Sequence, residues 1–390
     1  MREEAPREER AGLYLHLPFC SAICPYCDFS VLTGTEERRA KFLESLRREI
    51  ALWAEQPLPG TPFDSVYLGG GTPSLLSAEQ LAAILDEARL RLPIAPDARL
   101  SMEANPEDVT SASLAAWRGL GVDTLTLGVQ SFDDEELRFL GRRHSGEQGR
   151  RAVEAALEAG FSAVGIDLIY GLPDQDRAAY AANLDTAIAL APQHLSCYQL
   201  TIEDGTPFYY RQRRGKLREL SDARQAAFFR FTHERLAVSG YVAYEVSNFA
   251  SKPEHESRHN RKYWSHAPYL GLGPSAHSFD GSHRWWNHRK VFPWEAALAA
   301  GELPLAGQEA LTREQLAFEH VMLGLRTREG VDLKRLRGLG FDLAAANAVT
   351  HDQLVAEGLL RVEADRLVPT LAGWAVAEGL AVELKLEPAS

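Results

Sequence analysis

Cysteine is scarce in this chain: four residues in 390, three of them crowded between positions 20 and 27. So few thiols, so unevenly spread, exclude a disulfide framework. In a reducing cytoplasm such a cluster reads as a metal site. Long apolar runs are also missing. No stretch of about 18 apolar residues occurs, so no transmembrane helix is expected. The N-terminal MREEAPREERAG is charged and has no apolar centre, so no signal peptide is expected in it and a disordered tail is predicted over residues 1–10. Basic charge is in deficit, with 42 Lys and Arg against 54 Asp and Glu, a net −12. That balance gives no field to draw the chain to nucleic acid or anionic lipid. What is there, 45% hydrophobic and 25% charged, is globular composition, enough for one large domain and one or two small ones.

Short apolar runs alternate with amphipathic helical stretches. Expected strands are 12–18, 65–69, 99–104, 123–130, 163–173 and 194–200; expected helices are 35–55, 77–91, 111–118, 133–159 and 176–190. Strand–helix alternation predicts a parallel sheet with right-handed crossovers. Six such units are too few for a closed eight-fold barrel and predict a partial, TIM-like (β/α)6 barrel. Polar and glycine-rich residues gather at the strand ends: the cysteines after the first, GGGTPS after the second, EANPE at the third, Gln130 ending the fourth. The C-terminal rim is where parallel barrels place chemistry. Cys197, flanked by apolar residues, reads as core.

Over residues 200–300 the character changes. Six of the 12 histidines (His255, His259, His266, His277, His283 and His288) fall within 34 residues, with Trp264, Trp285, Trp286 and Trp294 close by. From about 310 the pattern becomes helices, a hairpin in RVEADRLVPT, and a last helix from Leu371, a winged-helix-like module. Its mixed charge favours a structural or lid role over DNA binding.

The cysteine spacing is C-x3-C-x2-C. Structural zinc wants four ligands, as two close pairs, and a [4Fe–4S] cluster normally also takes four cysteines. Three would leave one iron open to a substrate or cofactor. The alternative is a zinc knuckle completed by a histidine such as His16.

C-x3-C-x-aromatic-C, with Tyr26 as the aromatic, resembles the signature of the radical S-adenosylmethionine (SAM) superfamily. The resemblance implies a [4Fe–4S] cluster on Cys20, Cys24 and Cys27, whose open iron is chelated by SAM. It further implies SAM contacts from Tyr14, Tyr26, Gly69, Gly70, Gly71, Thr72, Glu103, Gln130, Arg142 and Asp167, the choice of Arg142 over Arg143 resting on spacing from Gln130. GLYLHLPFC, YLGGGTPS, GVQSF, IDLIYGLP and YEVSNFA together resemble the group that holds the oxygen-independent coproporphyrinogen III oxidases (HemN) and the haem chaperones (HemW). Two features favour the chaperone branch. Phe29 stands where the oxidases carry a further cysteine. HNRKYW matches the HNxxYW pattern implicated in haem binding, which assigns haem contact to His259, Asn260, Tyr263 and Trp264. An imidazole suits haem iron, aromatic faces suit the porphyrin, and Arg or Lys suits its propionates.

The expected organisation is a tail (1–10), a radical SAM partial barrel (11–240), an extension bearing the haem motif (241–305) and the C-terminal module (306–390). The expected activity is carriage of haem b to haemoproteins such as membrane-bound respiratory subunits. No porphyrinogen-decarboxylating residues are assigned. The expected place is the cytoplasm, with peripheral contact to the membrane and no nucleic-acid partner. The runner-up is a coproporphyrinogen III dehydrogenase, and a third reading is a radical SAM enzyme acting on another tetrapyrrole.

Overall fold

The computed structural model describes residues 10–58 and 62–388. The tail expected over 1–10 lies, but for Arg10, outside the described residues.

The first half is six strand–helix units. They run β1 Gly12–Leu17, α1 Glu36–Ala54, β2 Phe63–Gly70, α2 Ala78–Arg91, β3 Ile94–Ala104, α3 Ser111–Gly119, β4 Thr124–Gln130, α4 Asp134–Phe139, α5 Gly146–Glu158, β5 Ala163–Tyr170, α6 Arg177–Leu190 and β6 His194–Gln199. Strands β1 to β6 pair in sequence order, each parallel to the next. The cause is legible in β5, AVGIDLIY, buried at every position but Asp167. A strand covered on both faces reads as a continuous apolar run. Capping boxes at Ser77/Gln80 and Ser145/Gln148 start α2 and α5 by satisfying orphan backbone N–H groups.

The chain continues through α7 Pro207–Arg213, α8 Asp222–Val238, β7 Val242–Ala243, β8 Asn248–Ala250, α9 Arg258–Trp264, β9 Tyr269–Leu272, β10 His277–Phe279, β11 His283–Asn287, α10 Val291–Ala299 and β12 Leu305–Ala310. Strand β9 adds a seventh parallel strand on the far side of β1, and β10 to β12 extend that edge antiparallel. On the other edge β8 and β7 follow β6. The result is an open twelve-stranded sheet. It curls enough for side chains of β2 to β6 to line one small cavity. Helix α9 reaches that cavity through Arg258 and Asn260.

A second core begins at α11 Arg313–Gly324. It includes β13 Val331–Asp332, α12 Leu333–Leu339, α13 Leu343–Ala346, α14 Ala348–Ala356, β14 Leu360–Glu363, β15 Arg366–Pro369, α15 Leu371–Trp374 and α16 Ala377–Glu383. The expected hairpin is β14–β15, and β13 widens it to three strands.

Two expected helices are broken. The stretch 133–159 is α4 and α5, parted by a turn in which Gly141 takes φ +71°. A Cβ there would stand 2.7 Å from Pro25 Cδ, so the turn is pressed against the cysteine loop. The last helix divides at Val376, where the backbone leaves helical geometry (φ −130°, ψ 21°).

Candidate functional site

Cys20, Cys24 and Cys27 lie on the loop after β1, all three as free thiols and partly exposed. Strand β1 holds that loop from below. His16 bridges the Tyr14 hydroxyl (Nδ1, 3.0 Å) and the Ser30 carbonyl (Nε2, 2.9 Å). Both ring nitrogens are thus engaged, so the zinc knuckle with His16 as fourth ligand is not what the loop forms. Among the described residues no three His, Cys, Asp or Glu side chains gather round a single-ion site. Two donors reach the sulfurs instead: Thr72 Oγ1 to Cys20 Sγ (3.5 Å) and Arg142 Nη1 to Cys24 Sγ (3.6 Å). Burial pushes the Cys27 thiol up to about 11 and raises that of Cys20, so these two thiols stay protonated when unliganded. Donors to thiolate sulfur and a neighbouring guanidinium are what an anionic iron–sulfur cluster needs.

The glycine stretch belongs to the same construction. Gly70 has φ +104°, and a Cβ there would sit 2.4 Å from the His16 ring. At Gly71 a Cβ would meet the Leu17 and Phe19 carbonyls at 2.7 Å. Backbone bonds from Gly71 N to Leu17 O and from Thr72 N to Phe19 O then latch this turn to the cysteine loop. The glycines serve close approach of two backbones at the rim, whatever else they hold.

The break between α4 and α5 explains Arg142. In a continuous helix it would ride on a helix surface; in the turn its Nη2 donates to Asn105 Oδ1 (2.6 Å) and Gly128 O (2.7 Å) while Nη1 reaches Cys24. Its Nε is buried without a hydrogen-bond partner among the described residues. A buried orphan donor asks for an acceptor, which the carboxylate of SAM would supply. Asn105 also donates to Thr72 Oγ1 (3.3 Å). It ties two contacts to the sulfurs together, and the sequence reading passed over it in favour of Glu103.

Deeper in the curl, Tyr67 Oη donates to Glu103 (2.8 Å). Burial drives Glu103 up to about 7, the nearby Asp167 adding to it, and drives Asp167 up to about 6 against a hydrogen bond from Ser196. Both carboxyls line the cavity of roughly 50 Å³ shared by β2 to β6. Gln130 ends β4 in the left-handed region at φ +68°. Tyr26 is half-buried beside Phe208 (6.3 Å). Every residue expected around SAM therefore lies at the rim or inside the curl.

The haem motif forms a helix, α9, and its residues part ways. His259 is buried, its ring packed beside those of Tyr67 (5.2 Å) and Tyr14 (6.2 Å). Its Nδ1 pairs with Ser65 Oγ (3.1 Å) and its Nε2 with Tyr263 Oη (2.9 Å). Burial pushes His259 down to about 3, so it is neutral. Asn260 faces the small cavity, whereas Trp264 faces a cleft of about 930 Å³ on the far side. Lys262 is buried with Asp64, Nζ to Oδ1 2.6 Å. Of the other histidines in that segment, His255 lines the small cavity and His266 the cleft, His277 and His283 lie on the outer strands β10 and β11, and His288 follows β11. Phe29 stands on the surface of the cysteine loop, 67% exposed.

A family model described as the radical SAM superfamily matches residues 14–187, and one described as the HemN C-terminal domain matches residues 311–376. The chain is 38% identical over 372 residues to the heme chaperone HemW of Mycobacterium tuberculosis, covering 95% of this chain and 93% of that protein. It is 34% identical over 324 residues to the heme chaperone HemW of Bacillus subtilis, covering 83% and 85%. Its fold is similar to that of coproporphyrinogen III oxidase (HemN) of Escherichia coli, with a TM-score of 0.82 at 24% identity, over 97% of this chain and 90% of that one.

Proposed function

The chain belongs to the HemW family of the radical SAM superfamily, and from that membership we propose that it binds haem and hands it to haemoproteins. The observation that carries the reading is the 38% identity, over nearly the whole of both chains, to a protein named for haem chaperoning. HNRKYW on α9, at the wall of a cleft large enough for a drug-sized or cofactor-sized ligand, supports it, and so does Phe29 in place of a further cysteine. The fold shared with an oxidase does not weigh against it, since one fold hosts many functions.

The superfamily implies a [4Fe–4S] cluster and SAM. Cys20, Cys24 and Cys27 would hold the cluster, and together with SAM it would supply one-electron chemistry. Tyr14, Tyr26, Gly69, Gly70, Gly71, Thr72, Gln130 and Arg142 would bind and orient SAM at the rim, and Glu103 and Asp167 would accept hydrogen bonds from its hydroxyls. Haem b is cargo in this reading, and its contacts come from α9. The acceptors are haemoproteins, including membrane-bound respiratory subunits, met by a cytoplasmic protein at the membrane surface; among the described residues no helix is long and apolar enough to cross a membrane.

Haem-loaded protein mixed with membrane vesicles that carry a haem-free b-type subunit should lose its Soret absorbance as the subunit gains its own. Haem that stays with the loaded protein while free haem fills the same subunit would contradict the carrier reading.

A further inference from the structure

The chain carries a net −12, yet one stretch runs the other way. Between Gly205 and Arg218 there is no acid, and Arg211, Arg213, Arg214, Lys216 and Arg218 fall close together. All five are exposed. Arg211 lies over the rings of Phe139 (5.5 Å) and Phe208 (5.3 Å), and Arg213 over that of Tyr209 (5.9 Å). Such contacts orient a guanidinium without cancelling its charge. Among the described residues none of the five is in an ion pair. Glu219, the acid that ends the stretch, accepts from Gln212 Nε2 instead (2.8 Å).

A run of exposed charge is in most proteins simply solvated. This one is built onto the cysteine loop. Helix α7 opens with Phe208 N donating to the Pro25 carbonyl (3.0 Å), between Cys24 and Cys27. The Phe208 ring lies beside that of Tyr26 (6.3 Å). Gly215, at φ +67°, then turns the chain back, with Gly215 N bonded to Gln212 O and Lys216 N to Arg211 O. Leu217 is buried in the same apolar cluster as Phe208, against which Tyr26 packs. The basic turn is thus anchored before and behind to the loop that would hold the iron–sulfur cluster. Tyr210, on α7 itself, is exposed among the bases, and Arg with Tyr is the mixture enriched in protein interfaces.

One-electron chemistry at Cys20, Cys24 and Cys27 has to be supplied with electrons, and these partly exposed thiols are where the site meets solvent. A chain of net −12 repels an acidic carrier over most of its surface and attracts it at this stretch. Attraction of that kind sets approach and orientation without a large buried area, which suits the weak encounters of redox partners, below about 1,200 Å². An anionic lipid surface would also attract five bases, but it gains nothing from a place on the cysteine loop.

We propose that the basic turn 211–218 is the docking surface for a small acidic protein that carries a one-electron centre and reduces the cluster. One electron leaves the reduced carrier and enters the cluster; no bond forms or breaks. The proposal rests on the cluster reading of the cysteine loop and is independent of haem carriage.

The test uses full-length protein with its cluster restored anaerobically, and an acidic, FMN-carrying flavodoxin as the probe. At low ionic strength the wild type should bind flavodoxin, and raising salt to about 0.3 M should weaken binding tenfold or more. Arg214→Glu, Lys216→Glu and Arg218→Glu together should weaken low-salt binding tenfold or more and slow cluster reduction by subsaturating flavodoxin as much. Photoreduced deazaflavin, a small reductant that needs no docking surface, should reduce the cluster of this variant at the wild-type rate. Lys252→Glu, Arg313→Glu and Lys385→Glu together change the net charge equally at exposed sites elsewhere and should cost less than threefold. Equal losses in the two triple variants would reduce the effect to overall charge and overturn the proposal. So would undiminished binding in the first variant, or a wild type that binds phosphatidylglycerol vesicles through these bases and ignores flavodoxin. A wild type that assembles no cluster would overturn the cluster reading, and electron delivery with it, while haem carriage is judged separately by haem transfer.

Discussion

Serine in place of Cys20, Cys24 or Cys27 is expected to abolish the iron–sulfur absorption of anaerobically reconstituted protein, one residue at a time, while Cys197→Ser leaves it intact. The three thiols share one loop, and each loss leaves two, too few to hold a cluster that already keeps one iron open. Serine is close in size, so the loop keeps its latch to Thr72 and Leu32. Cys197 is of another kind. It lies inside β6, where Ser196 and Tyr198 face the small cavity and, by strand alternation, Cys197 faces the opposite side. There it is 2% exposed, and burial, against a hydrogen bond with Tyr180 that lowers it, pushes its thiol up to about 12. A cluster lost in Cys197→Ser, with the fold intact by circular dichroism, would mean that the fourth ligand had been misread.

The second large effect is on stability. Lys262→Met should destabilise the protein by about 3–5 kcal/mol, because it strands the Asp64 carboxylate. The two side chains are 4% and 1% exposed, with Nζ 2.6 Å from Oδ1, and Nζ also donates to the Arg10 carbonyl. Burial lowers the Lys262 pKa and the Asp64 carboxylate raises it again, which is the signature of a buried pair. The double variant Asp64→Asn with Lys262→Met should regain most of the loss, since no charge is then left buried. Urea unfolding of the cluster-free protein measures both. A Lys262→Met shift under about 1 kcal/mol would show that water reaches Asp64.

How much of this was legible beforehand follows from which interactions are local. Strand β5 announced itself, because a strand covered on both faces is apolar at nearly every position, and β4 by its alternation of apolar and polar residues. Strand β9 did not: Tyr269–Leu272 is four residues long and runs into Gly273 and Pro274, which read as a loop. The break at Gly141 was hidden because apolar periodicity continues through it, and only the press of Pro25 reveals why a glycine is there. The cysteine triplet was legible from spacing alone. Asn105 and His16 were not, since their roles are set by partners up to 37 residues away in sequence. HNRKYW was foreseeable as a helix, but its division between two cavities was not.

The choice between carrier and oxidase comes down to one comparison. Anaerobic protein with its cluster restored should be given SAM, an electron donor and coproporphyrinogen III in one vessel, and haem in another. The account predicts a Soret band with haem and no protoporphyrinogen IX or CO2 from the porphyrinogen. Formation of protoporphyrinogen IX, or a spectrum that haem leaves unchanged, would contradict it.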